Sequence, residues 1–292
     1  MEKSGDRIRW GTEQRMEFVE FRTFWEGGVN RSDITQRFGV SVPQASNDLT
    51  LYQKLAPGNL RYDSSEKRYV PTGEFAPRYL KLDADSYLVQ LKAVSDHVLN
   101  IDDTWIVRPP DFDGMPVPTR RVDPGILKRL IAAIRAERSI EIYFQSMNKN
   151  RAEAIWRRIT PHAFAHDGLR WHVRAFCHVD RKFKDFIISR CRDLRDEGAP
   201  GAKPSEDHQW NEFFDVILKP NPDLTAKQRE TIALDSEMTD GLSKTRVRRA
   251  LLYYFEKRLR LDIEAGKDKP AETPVVIHNR DEFIKARDAA MA

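Results

Sequence analysis

Apolar residues first recur at helical spacing between residues 13 and 25, where Met16, Val19 and Phe24 mark one face, and Gly27-Gly28 then stops the helix. In residues 31–55, RSDITQRFGVSVPQASNDLTLYQKL, the pattern predicts a short helix capped by Ser32 and running through Phe38, then a tight turn at Gly39. A longer helix follows, capped by Ser41, with Pro43 in its first turn and an end near Leu55. Short helix, glycine turn and longer helix make a helix-turn-helix. Ile34, Phe38, Val40, Val42, Ala45 and Leu49 can close over one core, leaving Gln44, Ser46, Asn47 and Thr50 outward. Next, LRYDSSEKRYVP reads as two short strands around a polar turn from Asp63 to Glu66, a hairpin that would form a wing.

Residues 78–122 predict a connector: a helix from Asp83 to about Leu99, then the proline-rich WIVRPPDFDGMPVP. Another helix, about 124–137, carries Ile126, Leu130, Ile131 and Ile134 as its apolar face. From Ser139 the period shifts toward two. SIEIYFQS, AIWRRITPHAFAHD, LRWHVRAFCHV and KFKDFIISRCRDL are strand candidates for a curved antiparallel sheet, and the linker RDEGAPGAKPSEDHQ ends it. Beyond residue 210, FFDVILKPNP and TPVVIHN read as strands, and LTAKQRETIALD, ALLYYFEKRLRLD and DEFIKARDAAMA as helices, a small α/β unit.

The fold class is therefore α+β and multidomain, which suits 292 residues. The domains are expected at 1–77, 78–137 (the connector), 138–197 and 205–292. No stretch is apolar enough for a membrane span or signal peptide, so a cytoplasmic location is expected. Cys177 and Cys191 offer neither a disulfide framework nor a four-ligand zinc site. The net charge is +4, but residues 1–77 hold 11 Lys and Arg against 11 Asp and Glu, whereas residues 141–195 hold 12 against 6.

The outward residues of the longer helix suit a recognition helix. Asn47 and Gln44 can bond an adenine edge bidentately, Ser41, Ser46 and Thr50 can reach bases or phosphates, and Lys67 and Arg68 on the wing can meet phosphates. Solvated polar faces look the same, and helix-hairpin units also serve as protein adaptors. The neutral balance of residues 1–77 disfavours strong DNA binding by one copy, a deficit that two copies on one operator would repair.

At Trp171-His172-Val173, within RITPHAFAHDGLRWHVRAFCHVDRKFKDFIISRCRDL, the chain resembles the WYL-domain bacterial regulators, although the eponymous Trp-Tyr-Leu is altered at two of three letters. The likeness rests on Thr-Pro-His, the glycine before the Trp strand, Arg-Ala-Phe-Cys-His after it, and Phe-Ile-Ile-Ser-Arg-Cys-Arg. Winged helix, connector, WYL domain and C-terminal extension follow in the order of the BrxR and CapW repressors encoded beside anti-phage systems of the BREX and CBASS kinds. The resemblance implies an Sm-like β-barrel and a homodimer, paired through the C-terminal extension with help from the connector. It also implies repression of its own operon from an inverted repeat on double-stranded DNA, controlled by a nucleotide or nucleic-acid fragment.

The pocket that the resemblance implies draws on Tyr143, Ser146, His162, Arg174, Phe186, Arg190 and Arg192. Arginine forks bind phosphate, a hydroxyl and an imidazole add directional bonds, and an aromatic ring offers a stacking face. Arg190 and Arg192, two apart on one expected strand, would share a face; alternatively they pair with Asp185 or Asp193, or are solvated. His162, His166, His172 and His178 lack metal-binding spacing, and no cofactor or metal is expected. No nucleophile elbow, phosphate loop, HExxH or GxGxxG is present, so a regulator rather than an enzyme is expected. The rival reading is an RNA- or nucleotide-processing enzyme with His162 as general base.

Overall fold

In the computed structural model, residues 10–118, 120–147, 153–262 and 269–291 are described. They fall into two compact units, Met1–Pro116 and Val117–Ala292.

In the first unit, helix α1 (Trp10–Glu26) ends at Gly27, whose φ of 74° suits glycine. Helix α2 (Arg31–Phe38) is capped by Asn30 rather than by Ser32. The Asn30 side chain accepts from the Asp33 amide (3.0 Å) while Asp33 accepts from the Asn30 amide (2.7 Å), a reciprocal box that starts the helix two residues earlier. Gly39, φ 64°, makes the turn, and Ser41 caps α3 (Val42–Leu55) as expected. Strands β1 (Leu60–Asp63) and β2 (Arg68–Pro71) pair antiparallel as the wing. Met16, Phe18, Val19, Ile34, Ala45, Leu49 and Tyr52 form the core. Val42, expected in it, is 57% exposed, because as the first helical residue it lies beyond the part of α3 that meets α1 and α2.

Glu20 sits fully buried on α1. Its carboxylate accepts from the Tyr52 hydroxyl (2.9 Å) and from the backbone N–H of Arg78, Tyr79 and Leu80 (2.7, 2.7 and 2.6 Å). Glu26 likewise accepts from the amides of Val107 and Arg108. Both acids fasten the connector to α1. Helix α4 (Ala84–Ser95), shorter than expected, seats Leu91 against Phe21 and Ile106.

In the second unit, helix α5 (Pro124–Arg135) packs Ile126, Leu130 and Ala133 onto a sheet, with Ile140, Ile142, Ile159, Val173 and Ala175 opposite. This helix therefore belongs with the strands and not with a connector reaching residue 137. The sheet holds β3 (Ser139–Phe144), β4 (Ile155–His166), β5 (Trp171–Cys177), β6 (Lys182–Ile187) and β7 (Cys191–Gly198), in the order β6-β5-β4-β3-β7. Among the described residues no pairing of β6 with β7 closes it into the expected barrel. The expected strand over KFKDFIISRCRDL is two strands, broken by a 3-10 turn at Ile188–Arg190. Ile187, Ile188 and Cys191 are all buried, which alternation along one strand would forbid.

The rest of the unit comprises α6 (His208–Asn211), β8 (Phe213–Pro220), α7 (Ala226–Asp235), β9 (Ser243–Arg248), α8 (Leu252–Arg258), β10 (Val275–Ile277) and α9 (Arg280–Met291). Its sheet runs β10-β8-β9, with Val216, Leu252, Ile277 and Phe283 in the core. Strand β9, SKTRVR, escapes a hydrophobic reading because Val247 is its one large apolar residue. No helix among the described residues is long and apolar enough to cross a membrane.

Glu20→Ala removes the acceptor for three backbone amides and one hydroxyl. It should lower stability by about 3 kcal/mol, read as an earlier tryptophan-fluorescence transition in urea; an unchanged midpoint would refute the clamp.

Candidate functional site

The first candidate surface is the outer face of α3. Gln44, Asn47 and Thr50 are exposed and Ser46 is half-buried, as expected. Their chemistry is less uniform than their exposure. Gln44 donates its amide to Asp48 (3.0 Å), Ser46 donates to the Val42 carbonyl and Thr50 to the Ser46 carbonyl. The Ser41 hydroxyl accepts the Gln44 amide as the helix cap. Asn47 makes no side-chain hydrogen bond among the described residues and keeps its full bidentate capacity. Asp48, buried beneath, takes Arg15 bidentately (2.6 and 3.2 Å), which fixes the helix against α1.

On the wing, Lys67 is exposed in the turn with φ 53°. Arg68 is not free: it donates to Glu66 (2.6 Å) and to the Glu26 carbonyl (3.3 Å), and its side chain is 20% exposed. Arg61, 62% exposed on the same hairpin, and exposed Arg31 at the start of α2 are cations that the sequence reading passed over.

Of the residues expected to line one pocket, three meet at one cavity. Ser146, Phe186 and Arg190 line a cavity of about 230 Å³ with Phe144, Arg157, Arg170, His172, Lys184, Asp185 and Tyr254. Tyr143 packs beside Trp156, 5.3 Å between ring centroids, outside it. Arg192 is exposed on β7 while Arg190 ends the 3-10 turn, so the two do not share a strand face.

His162 and Arg174 are engaged elsewhere. Asp207, at the end of the linker, accepts from Arg174 Nε (2.8 Å) and Nη2 (3.0 Å) and lies 2.9 Å from His162 Nε2. All three side chains are at most 5% exposed. Burial would raise the Asp207 carboxyl, but His162 and then Arg174 bring it down to about 2. The linker is thus docked on the sheet, and Gly201 also donates to Thr160 (2.9 Å).

At the cavity, Asp167 accepts from His172 Nε2 (2.9 Å) and Arg170 Nε (2.8 Å). The Tyr254 ring lies against His172 (4.8 Å), and its hydroxyl is 3.3 Å from Asp185. Arg157 donates to Asp180 (3.1 Å), yet its Nε and Nη2, and Nδ1 of His172, have no partner among the described residues. Arg190 makes no side-chain hydrogen bond or ion pair among the described residues. Burial, then nearby Arg170 and Arg120, push its pKa down. An unneutralised guanidinium among other cations is an anion site in chemical terms. Arg157 was legible: it alternates with Ile155 and Ile159, and a charge on a core-facing register flags a built site. Among the described residues no His, Cys, Asp or Glu group could hold a metal.

Asp207→Asn should cost about 3 kcal/mol by leaving buried Arg174 with only the longer contact to Asp185, 3.4 Å away. Because the folded carboxyl is depressed to about 2, that contribution is present above the ordinary value of 3.8 and fades as pH falls. Unfolding midpoints of the two proteins should converge toward pH 2; a constant difference would contradict the ion pair.

Three family models match the chain. The BrxR transcriptional regulator winged helix-turn-helix domain matches residues 11–93, the WYL domain residues 125–196, and the BrxR transcriptional regulator C-terminal dimerization domain residues 213–283. The DNA-binding transcriptional repressor CapW of Stenotrophomonas maltophilia is 37% identical over 97% of this chain and 94% of its own length. Those of Escherichia coli (strain KTE188) and Pseudomonas aeruginosa are 35% and 36% identical, over 97% and 96% of this chain and 94% and 93% of theirs. With three consecutive domains matched and near full-length identity above one third, the chain belongs to the BrxR/CapW family of WYL-domain transcriptional regulators.

Proposed function

We propose that this protein is a cytoplasmic, homodimeric transcriptional repressor that reads an inverted repeat on double-stranded DNA and acts without catalytic turnover. The observation that carries it is the exposed α3 face, with Asn47 unengaged and the helix anchored by Arg15 and Asp48. Asn47 and Gln44 read bases, Ser46 and Thr50 accept or donate beside them, and Lys67 meets phosphate. Ser41 presents the helix start, and Arg68 orients the wing. Pairing through the C-terminal unit brings two such helices to one operator. Leu88 and Val89, 57% and 65% exposed on α4, offer an apolar surface that supports pairing through the connector.

The likeness to repressors beside anti-phage systems supports autoregulation of a defence operon. A phosphate-bearing nucleotide or nucleic-acid fragment, held at Arg190 with Ser146 and Phe186, controls DNA affinity. Tyr143, His162, Arg174 and Arg192 shape the surroundings rather than touch it. The enzyme alternative is disfavoured because His162 is buried, 5% exposed, and lies outside the cavity.

Fluorescence anisotropy on the duplex upstream of the gene, against a scrambled duplex and across salt, tests this reading. Asn47→Ala should reduce specific binding roughly tenfold or more and narrow the gap to scrambled DNA, whereas Lys67→Ala should weaken both duplexes alike and flatten the salt slope. Equal binding of both duplexes by the unaltered protein would overturn it.

A further inference from the structure

Three side chains at the WYL cavity carry polar atoms that no described residue uses, and their charges restrict what can enter. We propose that the cavity takes a terminal phosphate monoester, the end of a nucleotide or of a nucleic-acid fragment, in preference to the internal phosphodiester of a strand. This deepens the ligand reading above and rests on it.

The first argument is charge. Arg157, Arg170, Lys184 and Arg190 line the cavity. Among the described residues Asp180 serves both Arg157 (3.1 Å) and Lys184 (2.8 Å), Asp167 serves Arg170 (2.8 Å), and Arg190 has no carboxylate. Asp185 also lines the cavity but is paired with Arg174, 3.4 Å away. Two carboxylates thus pair with three of the four cations and leave Arg190 over. A phosphate monoester brings about −1.5 to −2 charge and three acceptor oxygens, whereas an internal diester brings a single charge and two free oxygens.

The second argument is room. The cavity, about 230 Å³, adjoins a larger cleft lined by Arg174, Phe183 and Asp207, with which it shares Lys184, Asp185 and Tyr254, so a phosphate seated in the cavity leaves the rest of its molecule in the cleft. A chain end can insert its phosphate and leave the rest outside; an internal linkage would require the strand both to enter and to leave. The third is the set of waiting groups. Among the described residues Arg157, 2% exposed, keeps Nε and Nη2 without partners, and His172, also 2% exposed, keeps Nδ1. Such groups are costly to bury unless something meets them, and a phosphate with its neighbouring hydroxyl supplies acceptors and a donor.

Calorimetric titration of the full chain tests this with four probes: a nucleoside 5′-monophosphate, its nucleoside, a dinucleotide with hydroxyl ends, and that dinucleotide with a 5′-terminal phosphate. The two terminally phosphorylated probes should bind at least about tenfold more tightly than their unphosphorylated counterparts. Arg190→Gln should abolish that difference and Arg190→Lys recover part of it, with circular dichroism melts reporting whether each variant folds. Preference for the phosphorylated dinucleotide over the mononucleotide would identify a strand end as the source, and equal affinity the terminal nucleotide alone. If the hydroxyl-ended dinucleotide binds as tightly as its phosphorylated form, and Arg190→Gln weakens both, the terminal-phosphate claim falls and ligand sensing stands. If no probe binds while operator DNA still does, both the claim and the ligand reading fall.

Discussion

A carboxylate taken out of water costs several kcal/mol unless donors surround it, and those donors must then stay where the carboxylate is. Glu20, Glu26 and Asp207 apply this constraint in three places. Glu20 gathers the amides of residues 78–80, Glu26 those of 107 and 108, and Asp207 the guanidinium of Arg174 with His162. In each case a segment that would otherwise wander is held to a helix or sheet. The winged helix keeps its connector, and the WYL sheet its linker, by the same physical means.

This explains what was legible in the sequence. Helix-turn-helix, wing and most strands follow from periodicity, glycine turns and caps, which are local signals. The caps themselves could slip by two residues, since Asn30 and Ser32 are both competent and only the reciprocal bond from Asp33 decides between them. The break at Ile188–Arg190 was hidden because a buried 3-10 turn and a buried strand are equally apolar. The second sheet's β9 was hidden for the opposite reason, its Lys and Arg alternating with small or polar residues.

The candidate sites divide along the same line. Outward positions on α3 could be read from helical spacing, but which of them are free depends on neighbours: Asp48 engages Gln44 and leaves Asn47 alone. In the WYL sheet, the side chains that the resemblance selected fall into two separate groups. Arg190 and Ser146 face the cavity, whereas Arg174 and His162 hold Asp207, an acid 33 and 45 residues away in a segment that reads as linker. Tyr254, from α8 of the C-terminal unit, closes the cavity against His172, so a ligand there touches the part matched to a dimerization domain.

If the protein is the proposed repressor, two copies of α3 read one operator. Hydroxyl-radical footprinting of the upstream duplex with the whole 292-residue chain distinguishes this from other modes of binding. Two protected half-sites related by a two-fold axis are expected, their centres a whole number of helical turns apart, about 10 base pairs each. A single protected patch, or uniform protection along the duplex, would contradict it.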